Sequence, residues 1–252
     1  MSSEERRRTN SGDTEERRRD TMQTLLRDGL TALHLPPDAA EPMRQYAEML
    51  LERNRVMNLT AITSESDVAQ LHFLDSCALT MFADFHGKSV IDVGTGAGFP
   101  GLPLRLVEPS LKLTLLDAQR KRVDFLREVR DALKLSGVDC VQERAEVYAA
   151  QNRERFDIAV SRAVAALPVL AELCLPLVRV GGAFLAMKSV NCDAELSSAS
   201  HAVRTLGGHV QQVSDYTIPG SDIPRRVIVI EKRHHTPSGY PRAFGKIKKN
   251  PL

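Results

Sequence analysis

The feature that most constrains the fold is a glycine-rich loop that directly follows a short apolar strand. The predicted strand is 89–93, and the loop behind it carries Gly94, Gly96 and Gly98. Glycine tolerates positive φ, and it lets a ligand lie against bare backbone at the start of the next helix. Tight turns also use glycine for geometry alone, so a structural role stays open for the triplet taken by itself. Its position after an apolar strand favours a ligand site.

From residue 89 onward, strand-like runs alternate with amphipathic helical stretches. The predicted strands are 89–93, 112–116, 138–142, 156–160, 182–187, 209–216 and 226–231. The predicted helices between the first five strands are 101–107, 119–134, 145–151 and 166–179. This alternation predicts an α/β fold with a parallel sheet covered on both faces. Pro219, Gly220 and Pro224 separate the last two strands without a predicted helix, so these strands should form an antiparallel hairpin. A sheet that ends this way resembles the Rossmann-like, seven-stranded class I methyltransferases, whereas a plain dinucleotide fold more often ends parallel.

Helical patterns precede the first strand and predict an N-terminal helical cap. One stripe starts at Met22, a second helix can be capped by Asp38, and a third run begins after Ser64. The predicted organisation is a disordered charged tail over 1–20, the cap over 21–84, a main domain over 85–232 and a basic tail over 233–252.

Charge and composition narrow the class of protein. Residues 232–252 hold six lysines and arginines and no acidic residue, so this stretch is a candidate for touching phosphate, although a solvated C-terminus is the plainer interpretation. The four cysteines form no C-x-x-C pair, so neither a metal nor a redox site is indicated. The sequence has neither a membrane-spanning run nor a signal-peptide core, which predicts a cytoplasmic protein without a membrane partner.

Polar residues at the other strand ends are candidate ligand groups, because open α/β sheets bind ligands beyond the carboxyl ends of their strands. Asp117 can accept the hydroxyls of a ribose or merely cap a helix, and Ala145 with Glu146 can face an adenine edge or merely start a helix. Arg162 follows an apolar strand, where an unpaired charge is hard to bury. Lys188 ends the fifth strand in the same way, with a solvated strand end as the alternative.

Several short motifs, in this order and spacing, resemble one specific family. They are Asn58-Leu59-Thr60, His72-Phe73-Leu74-Asp75-Ser76, the loop from Ile91 to Gly101, Leu115-Leu116-Asp117 with Lys121-Arg122, Ser161-Arg162-Ala163, and Tyr240-Pro241-Arg242. Over about residues 38 to 250 the chain is similar to the 16S ribosomal RNA guanine-N7 methyltransferases, also called the glucose-inhibited division protein B family. The segment before Thr21 is an extension that this pattern does not need.

The resemblance implies methyl transfer from S-adenosylmethionine to N7 of one guanine in 16S rRNA, within the 30S subunit or its precursor. It maps cofactor contacts onto Gly94, Phe99, Ala145, Glu146 and Arg162. The chain is expected to act as a monomer without a metal.

Guanine N7 has a free lone pair, so the reaction needs no general base, and catalysis should rest on positioning, which can contribute on the order of 7 to 11 kcal/mol. Arg162, Lys188 and His72 are the candidates for that role, with Asn58, Asp75 and Ser76 closing a wall of the pocket. An arginine gripping both O6 and N7 would block the reacting atom, so Arg162 must hold O6 alone, a phosphate or the cofactor side. His72 is equally compatible with a structural place in the core.

Three other classes share parts of this pattern. A nicotinamide-dependent short-chain reductase would need a Tyr-x-x-x-Lys pair, and none of the four tyrosines has a lysine four residues later. A methyltransferase acting on a small molecule would have the same cofactor half-site, and the basic tail argues against it. A non-catalytic RNA-binding protein with this fold is the third alternative.

Overall fold

The fold is built on a seven-stranded sheet in the order β3-β2-β1-β4-β5-β7-β6. The computed structural model describes residues 21–162 and 164–252, so the predicted charged tail over 1–20 lies outside the described residues. The strands are β1 (Ser89–Val93), β2 (Lys112–Asp117), β3 (Val138–Gln142), β4 (Phe156–Arg162), β5 (Val178–Lys188), β6 (Gly208–Thr217) and β7 (Pro224–Lys232). β7 pairs antiparallel with both β5 and β6, and the first five strands run parallel, which confirms the predicted sheet and terminal hairpin.

Helices cover both faces of this sheet. They occupy 21–32, Ala40–Met57, the continuous segment 65–81, Gly101–Val107, Arg120–Ala132, Ala145–Gln151, Leu167–Cys174, Asp193–Thr205 and Phe244–Lys249. Segment 65–81 contains a π-helical stretch over Val68–Leu74, and such stretches are frequent at functional sites. Across 21–162 and 164–252, no helix is both long and apolar enough to cross a membrane.

Two details of the predicted helices are wrong. Asp38 does not cap the second helix, because a 3-10 turn over Pro37–Ala39 leads directly into it and makes no side-chain cap. The helix Asp193–Thr205 was not predicted, since its buried residues, Ala199, Ala202 and Val203, are small and give little apolar signal. Ser64 does cap the third helical segment by accepting a hydrogen bond from the Asp67 amide, 3.1 Å away.

Alternating side chains of the strands divide the interior into two cores. Val90 and Leu115 join the core that contains the helices of the cap, whereas Ile91, Phe184 and Ile230 face the helices on the other side. The cysteines at 77, 140, 174 and 192 are free and buried, as expected of small apolar side chains in a core. The cap therefore packs as a layer on the sheet, and the division of the chain at residue 84 stays a prediction.

The strand order determines where a ligand can bind. The chain runs from β1 outward to β3 and then returns to β4, so the connections reverse direction between β1 and β4. Ligands bind at such a switch point in open α/β sheets. The loop after β1 and the residues at the end of β4 meet at this edge.

The cap packs so closely on Gly98 that the loop has no room for a side chain there. Gly98 has φ +103°, and a Cβ there would lie 2.4 Å from the Tyr46 hydroxyl and 2.7 Å from a Leu102 methyl group. Gly98→Ala is therefore expected to lower the free energy of unfolding by roughly 2 to 4 kcal/mol in urea titrations. Gly96→Ala is the matched control, because Gly96 also has positive φ but open space around its Cβ position. Its expected cost is about 1 kcal/mol. Equal losses would contradict close packing of the cap on the loop.

Candidate active site

Two cavities lie side by side at the switch point. The first has a volume of about 550 Å³, and its lining includes the predicted residues Gly94, Gly96, Phe99, Asp117, Ala145, Glu146 and Arg162. The second has a volume of about 580 Å³ and is lined by Lys188 and by residues of the cap. His72, Arg162 and Val164 line both cavities, so these three side chains form the wall between them. Both volumes are in the range of small-molecule sites.

The glycine loop is closed at both ends by backbone and carboxylate contacts. The amides of Gly94 and Thr95 donate to the Leu116 carbonyl, at 2.8 and 3.1 Å. Asp92, in the middle of the apolar strand β1, accepts from the Thr95 hydroxyl and the Gly101 amide, at 2.7 and 2.8 Å. Burial raises the pKa of Asp92 to about 6, against the effect of these two hydrogen bonds. Its carboxylate ties the start of the loop to the start of the following helix.

The loop presents bare backbone to the first cavity. Gly94 and Gly96 both have positive φ, and no atom lies within 4 Å of a Cβ built at Gly96, although this residue lines the cavity. A side chain there would occupy space that a ligand can use. Gly98 differs from the other two, because it is not among the residues that line this cavity and packs under the cap instead. Its positive φ shapes the loop.

Asp117 lines the first cavity, and most of the hydrogen-bonding capacity of its carboxylate is already in use. Its Oδ2 accepts from the Gly96 amide at 3.0 Å and from Arg122 at 3.2 Å, and its Oδ1 accepts from the Gln119 amide at 2.8 Å. A carboxylate accepts about four hydrogen bonds. One ligand hydroxyl can therefore bind directly, and a second requires Arg122 to move. Asp117 does not cap the following helix, whose N-cap is Gln119, and its contact with a ribose stays a prediction.

The outer wall of the first cavity combines the end of β3 with the C-terminal segment. Arg144 donates to Glu146 at 2.7 Å, and its guanidinium lies 4.7 Å from the centre of the Phe244 ring. Phe244 lines this cavity beside Ala145 and Glu146. Nothing in the sequence pattern indicates this contact, because 100 residues separate Arg144 from Phe244 in the chain.

Stacked aromatic rings join the cap to the loop. The Phe99 ring stacks on Tyr46 at 5.3 Å between centroids and on His72 at 4.5 Å. The Tyr46 hydroxyl donates to the Ala97 carbonyl, and Phe73 meets both Tyr46 and Phe99 edge-on. Aromatic pairs of this kind contribute about 0.5 to 1.5 kcal/mol each beyond the area that they bury.

Arg162 connects the end of β4 to the cap. It donates to the Leu71 carbonyl at 2.8 Å, to Asp75 at 3.1 Å and to His72 Nδ1 at 2.9 Å, and it lies 5.3 Å from the centre of the Phe99 ring. Asp75 in turn accepts from the Tyr216 hydroxyl at 2.8 Å. The strand-end cation is therefore paired, as a buried charge must be.

The same contacts determine the protonation state of His72. Because Arg162 can only donate, Nδ1 must accept, and Nε2–H then faces the Thr60 hydroxyl at 2.8 Å. Burial and the neighbouring Arg162 charge lower the pKa of His72 to about 3. His72 is neutral near pH 7, so the structure gives it both a core position and a place in the wall between the cavities.

Lys188 does not point into solvent. Its ammonium donates to the Ala165 carbonyl and to Glu195, both at 2.7 Å. Glu195 and Arg225 also line the second cavity and were not predicted, because the sequence gives no sign that they approach the strand ends. Asp92 could have been found by the argument applied to Arg162, since it too is a charge inside an apolar strand.

The basic C-terminal stretch is only partly available to phosphate. The expectation is wrong for Lys232, which is fully buried and donates to the carbonyls of Leu175 and Val178. Arg242 is paired with the buried carboxylate of Glu172 at 2.6 Å. Lys246, Lys248 and Lys249 are exposed on the final helix, whose Ile247 is buried in the core. This helix carries its lysines on the same short element as Phe244.

Comparison with known proteins places these features in a family. The family model described as rRNA small subunit methyltransferase G matches residues 39–223. Ribosomal RNA small subunit methyltransferase G of Staphylococcus carnosus is 46% identical over 216 residues, which cover 84% of this chain and 90% of that protein. The protein of the same name from Alkaliphilus oremlandii is 46% identical over 237 residues, covering 92% and 99%.

Solved structures agree on the fold. M. jannaschii TYW2 in complex with AdoMet matches with a TM-score of 0.51 at 11% identity, over 63% of this chain and 74% of that one. The pyocyanin biosynthetic protein PhzM matches with a TM-score of 0.51 at 16% identity, over 67% and 56%. At these identities the likeness concerns the fold alone.

The lowered pKa of His72 makes the free energy of unfolding depend on pH. The unfolded chain binds a proton to this histidine below about pH 6.5, and the folded chain does so only near pH 3, so stability is lost as the pH falls through this interval. Between pH 7 and 5.5, the wild type is expected to lose about 1 kcal/mol more than His72→Gln, which does not titrate. Urea unfolding of both proteins at the two pH values measures the difference. Parallel losses would contradict a neutral, buried imidazole.

Proposed function

The chain belongs to the rRNA small subunit methyltransferase G family, and from this premise we propose that it transfers the methyl group of S-adenosylmethionine to N7 of a guanine in 16S rRNA. One observation carries the proposal: the first cavity, which we take as the cofactor cleft, and the second cavity share a wall formed by His72, Arg162 and Val164. A methyl donor in the first cavity and a base in the second would meet at this wall.

The first cavity fits S-adenosylmethionine. The bare backbone at Gly96 suits close approach of the amino-acid part, and Asp117 can accept a ribose hydroxyl. Ala145, Glu146 and Phe244 would then hold the adenine. The cofactor supplies a methyl carbon that its sulfonium has activated.

The reaction requires the protein to position the reacting groups and to present a suitable electrostatic surface to them. N7 of guanine already carries a lone pair, and no proton must leave it. The neutral His72 is in keeping with this chemistry, because its Nδ1 lone pair is engaged by Arg162. Both side chains would keep the separating wall rigid, so that nucleophile, methyl carbon and sulfur stay in line.

Arg162 is the residue on which this wall depends. Its guanidinium is engaged with Leu71, His72 and Asp75, which supports a role in holding the cap against the strand ends. A bidentate grip on guanine would require it to abandon these partners. We therefore assign Arg162 to positioning of cofactor and base rather than to reading the base.

The substrate is an RNA in the small ribosomal subunit or its precursor, and the enzyme acts as a cytoplasmic monomer. Three exposed lysines on the final helix support an RNA partner, because phosphate contacts come mainly from such side chains. They also disfavour a small-molecule substrate, whose binding would have no use for them.

Methyl transfer itself is tested with tritiated S-adenosylmethionine and three acceptors. These are 30S subunits from cells that lack this gene, naked 16S rRNA and a mixture of small metabolites. Label is expected in 16S rRNA, at one guanine in the N7 position. Label only in small metabolites, or in no acceptor, would overturn the proposal.

Arg162→Ala is expected to reduce kcat/KM by roughly 100-fold, because misplacement of about 1 Å has an effect of this size. Arg162→Lys keeps the charge, loses the planar fork and should lose activity as well. Arg179→Ala is the matched control, since Arg179 forms an exposed ion pair with Asp157 at the opposite end of the sheet. Methylation of 30S subunits and thermal melting are measured for each variant. Full activity in Arg162→Ala would contradict the assignment of Arg162 to positioning of cofactor and base.

The two sides of the final helix give separable predictions. Phe244→Ala should weaken S-adenosylmethionine binding roughly tenfold in calorimetry, since it removes one wall of the cleft. Replacing Lys246, Lys248 and Lys249 by Ala should leave that affinity unchanged in the absence of RNA. It should instead make RNA binding less dependent on salt, by up to about 0.9 per lost phosphate contact in the logarithmic slope. A salt dependence like that of the wild type would contradict the role of the lysines.

A further inference from the structure

The ion pair between Lys188 and Glu195 lines the second cavity and has no role in the wall described above. It joins the end of β5 to the first turn of the helix Asp193–Thr205. Lys188 has a side-chain exposure of 8% and Glu195 of 38%, so the pair borders the cavity with the carboxylate on the open side.

Each group of this pair is held by hydrogen bonds within the protein and keeps some hydrogen-bonding capacity that these contacts do not use. Glu195 Oε2 accepts from Lys188 at 2.7 Å and from the Leu167 amide at 2.9 Å. Lys188 uses a second proton on the Ala165 carbonyl, which leaves one of its three. Among residues 21–162 and 164–252, none donates a hydrogen bond to Oε1 of Glu195. The pair thus offers one donor beside one acceptor.

The other carboxylate of the cavity is committed. Asp75 accepts from Tyr216 on one oxygen and from Arg162 on the other, and Arg225 lies 3.8 Å away. Glu195 is therefore the acidic group best able to receive a hydrogen bond from a ligand. Partial burial raises the pKa of its carboxyl, but the hydrogen bonds from Lys188 and the Leu167 amide, together with the Lys188 charge, lower this pKa below its usual value, so Glu195 is ionised.

We propose that Lys188 and Glu195 read the O6 and N1–H edge of the target guanine, and that the Glu195 carboxylate stabilises the positive charge that the base acquires during methyl transfer. This inference rests on the proposed function. It makes Glu195 a catalytic residue, because its carboxylate touches the reacting base.

The order of donor and acceptor fits guanine and excludes adenine. Guanine presents an acceptor at O6 and a donor at N1, which match the Lys188 ammonium and the Glu195 carboxylate. Adenine presents a donor at N6 and an acceptor at N1, so both contacts become repulsive. Sites that leave buried polar groups unpaired reject the wrong ligand strongly.

The charge flow of the reaction gives the carboxylate its effect on rate. The lone pair of guanine N7 forms the new bond to the methyl carbon, and the carbon–sulfur bond breaks with its electrons returning to sulfur. The positive charge thereby moves from sulfur onto the guanine ring. N1–H becomes more acidic as this charge develops, so its hydrogen bond to Glu195 strengthens toward the transition state.

The test uses 30S particles reconstituted with 16S rRNA that carries guanine, inosine or adenine at the mapped position. Wild-type enzyme should methylate guanine and inosine at similar rates, since inosine keeps O6 and N1–H, and adenine roughly 100-fold more slowly. Glu195→Gln should lower kcat on guanine by roughly 10- to 100-fold with KM nearly unchanged, because a hydrogen bond to a charged group is lost mainly in the transition state. It should also narrow the preference for guanine over adenine.

Controls separate this inference from the function beneath it. Glu128→Gln removes another ion-paired glutamate, the partner of Arg53, from a surface outside both cavities and should not change kcat. Unchanged kcat in Glu195→Gln, or equal rates of the wild type on adenine and guanine, would overturn the inference. If the variant does not fold, the adenine particle still offers an outcome that contradicts the inference, since equal rates on adenine and guanine exclude this reading of the base. Failure of wild-type enzyme to methylate the guanine particle would overturn the proposed function instead.

Discussion

The stacking of Phe99 between Tyr46 and His72 is the contact on which the rest of the site depends. It fixes a loop that its own glycines would leave adjustable, and it does so with rings from two different helices of the cap. Once His72 lies on Phe99, Arg162 can reach His72 and Asp75 together. The wall between the two cavities is thus a consequence of aromatic packing beneath the glycine loop.

The strand-end residues could be predicted because a parallel sheet brings its carboxyl ends together regardless of what the loops contain. Gly94, Asp117, Arg162 and Lys188 all follow from that rule and from the alternation of strands and helices. The contacts that the rule misses join distant parts of the chain, as Arg144 meets Phe244. The approach of Glu195 to Lys188 was missed for a related reason, since the buried residues of its helix are only two alanines and a valine. Three-dimensional neighbours of this kind leave no local pattern.

The charged side chains named for this site each lie beside a group of opposite charge. Asp75 is shared among Arg162, Arg225 and Tyr216, and Lys188 is balanced by Glu195. Pairs such as these contribute little to stability, because desolvation cancels much of their attraction. Their value is in geometry: each side chain has a fixed direction before any ligand binds, and a preorganised electrostatic surface needs no rearrangement during the reaction.

The final helix has a consequence for the order of events. Phe244 faces the cofactor cleft, and the exposed lysines belong to the same helix, which Ile247 and Arg242 anchor to the body of the protein. Any coupling between two ligands that contact one element is reciprocal. Whatever factor the cofactor adds to the affinity for RNA, bound RNA adds to the affinity for the cofactor.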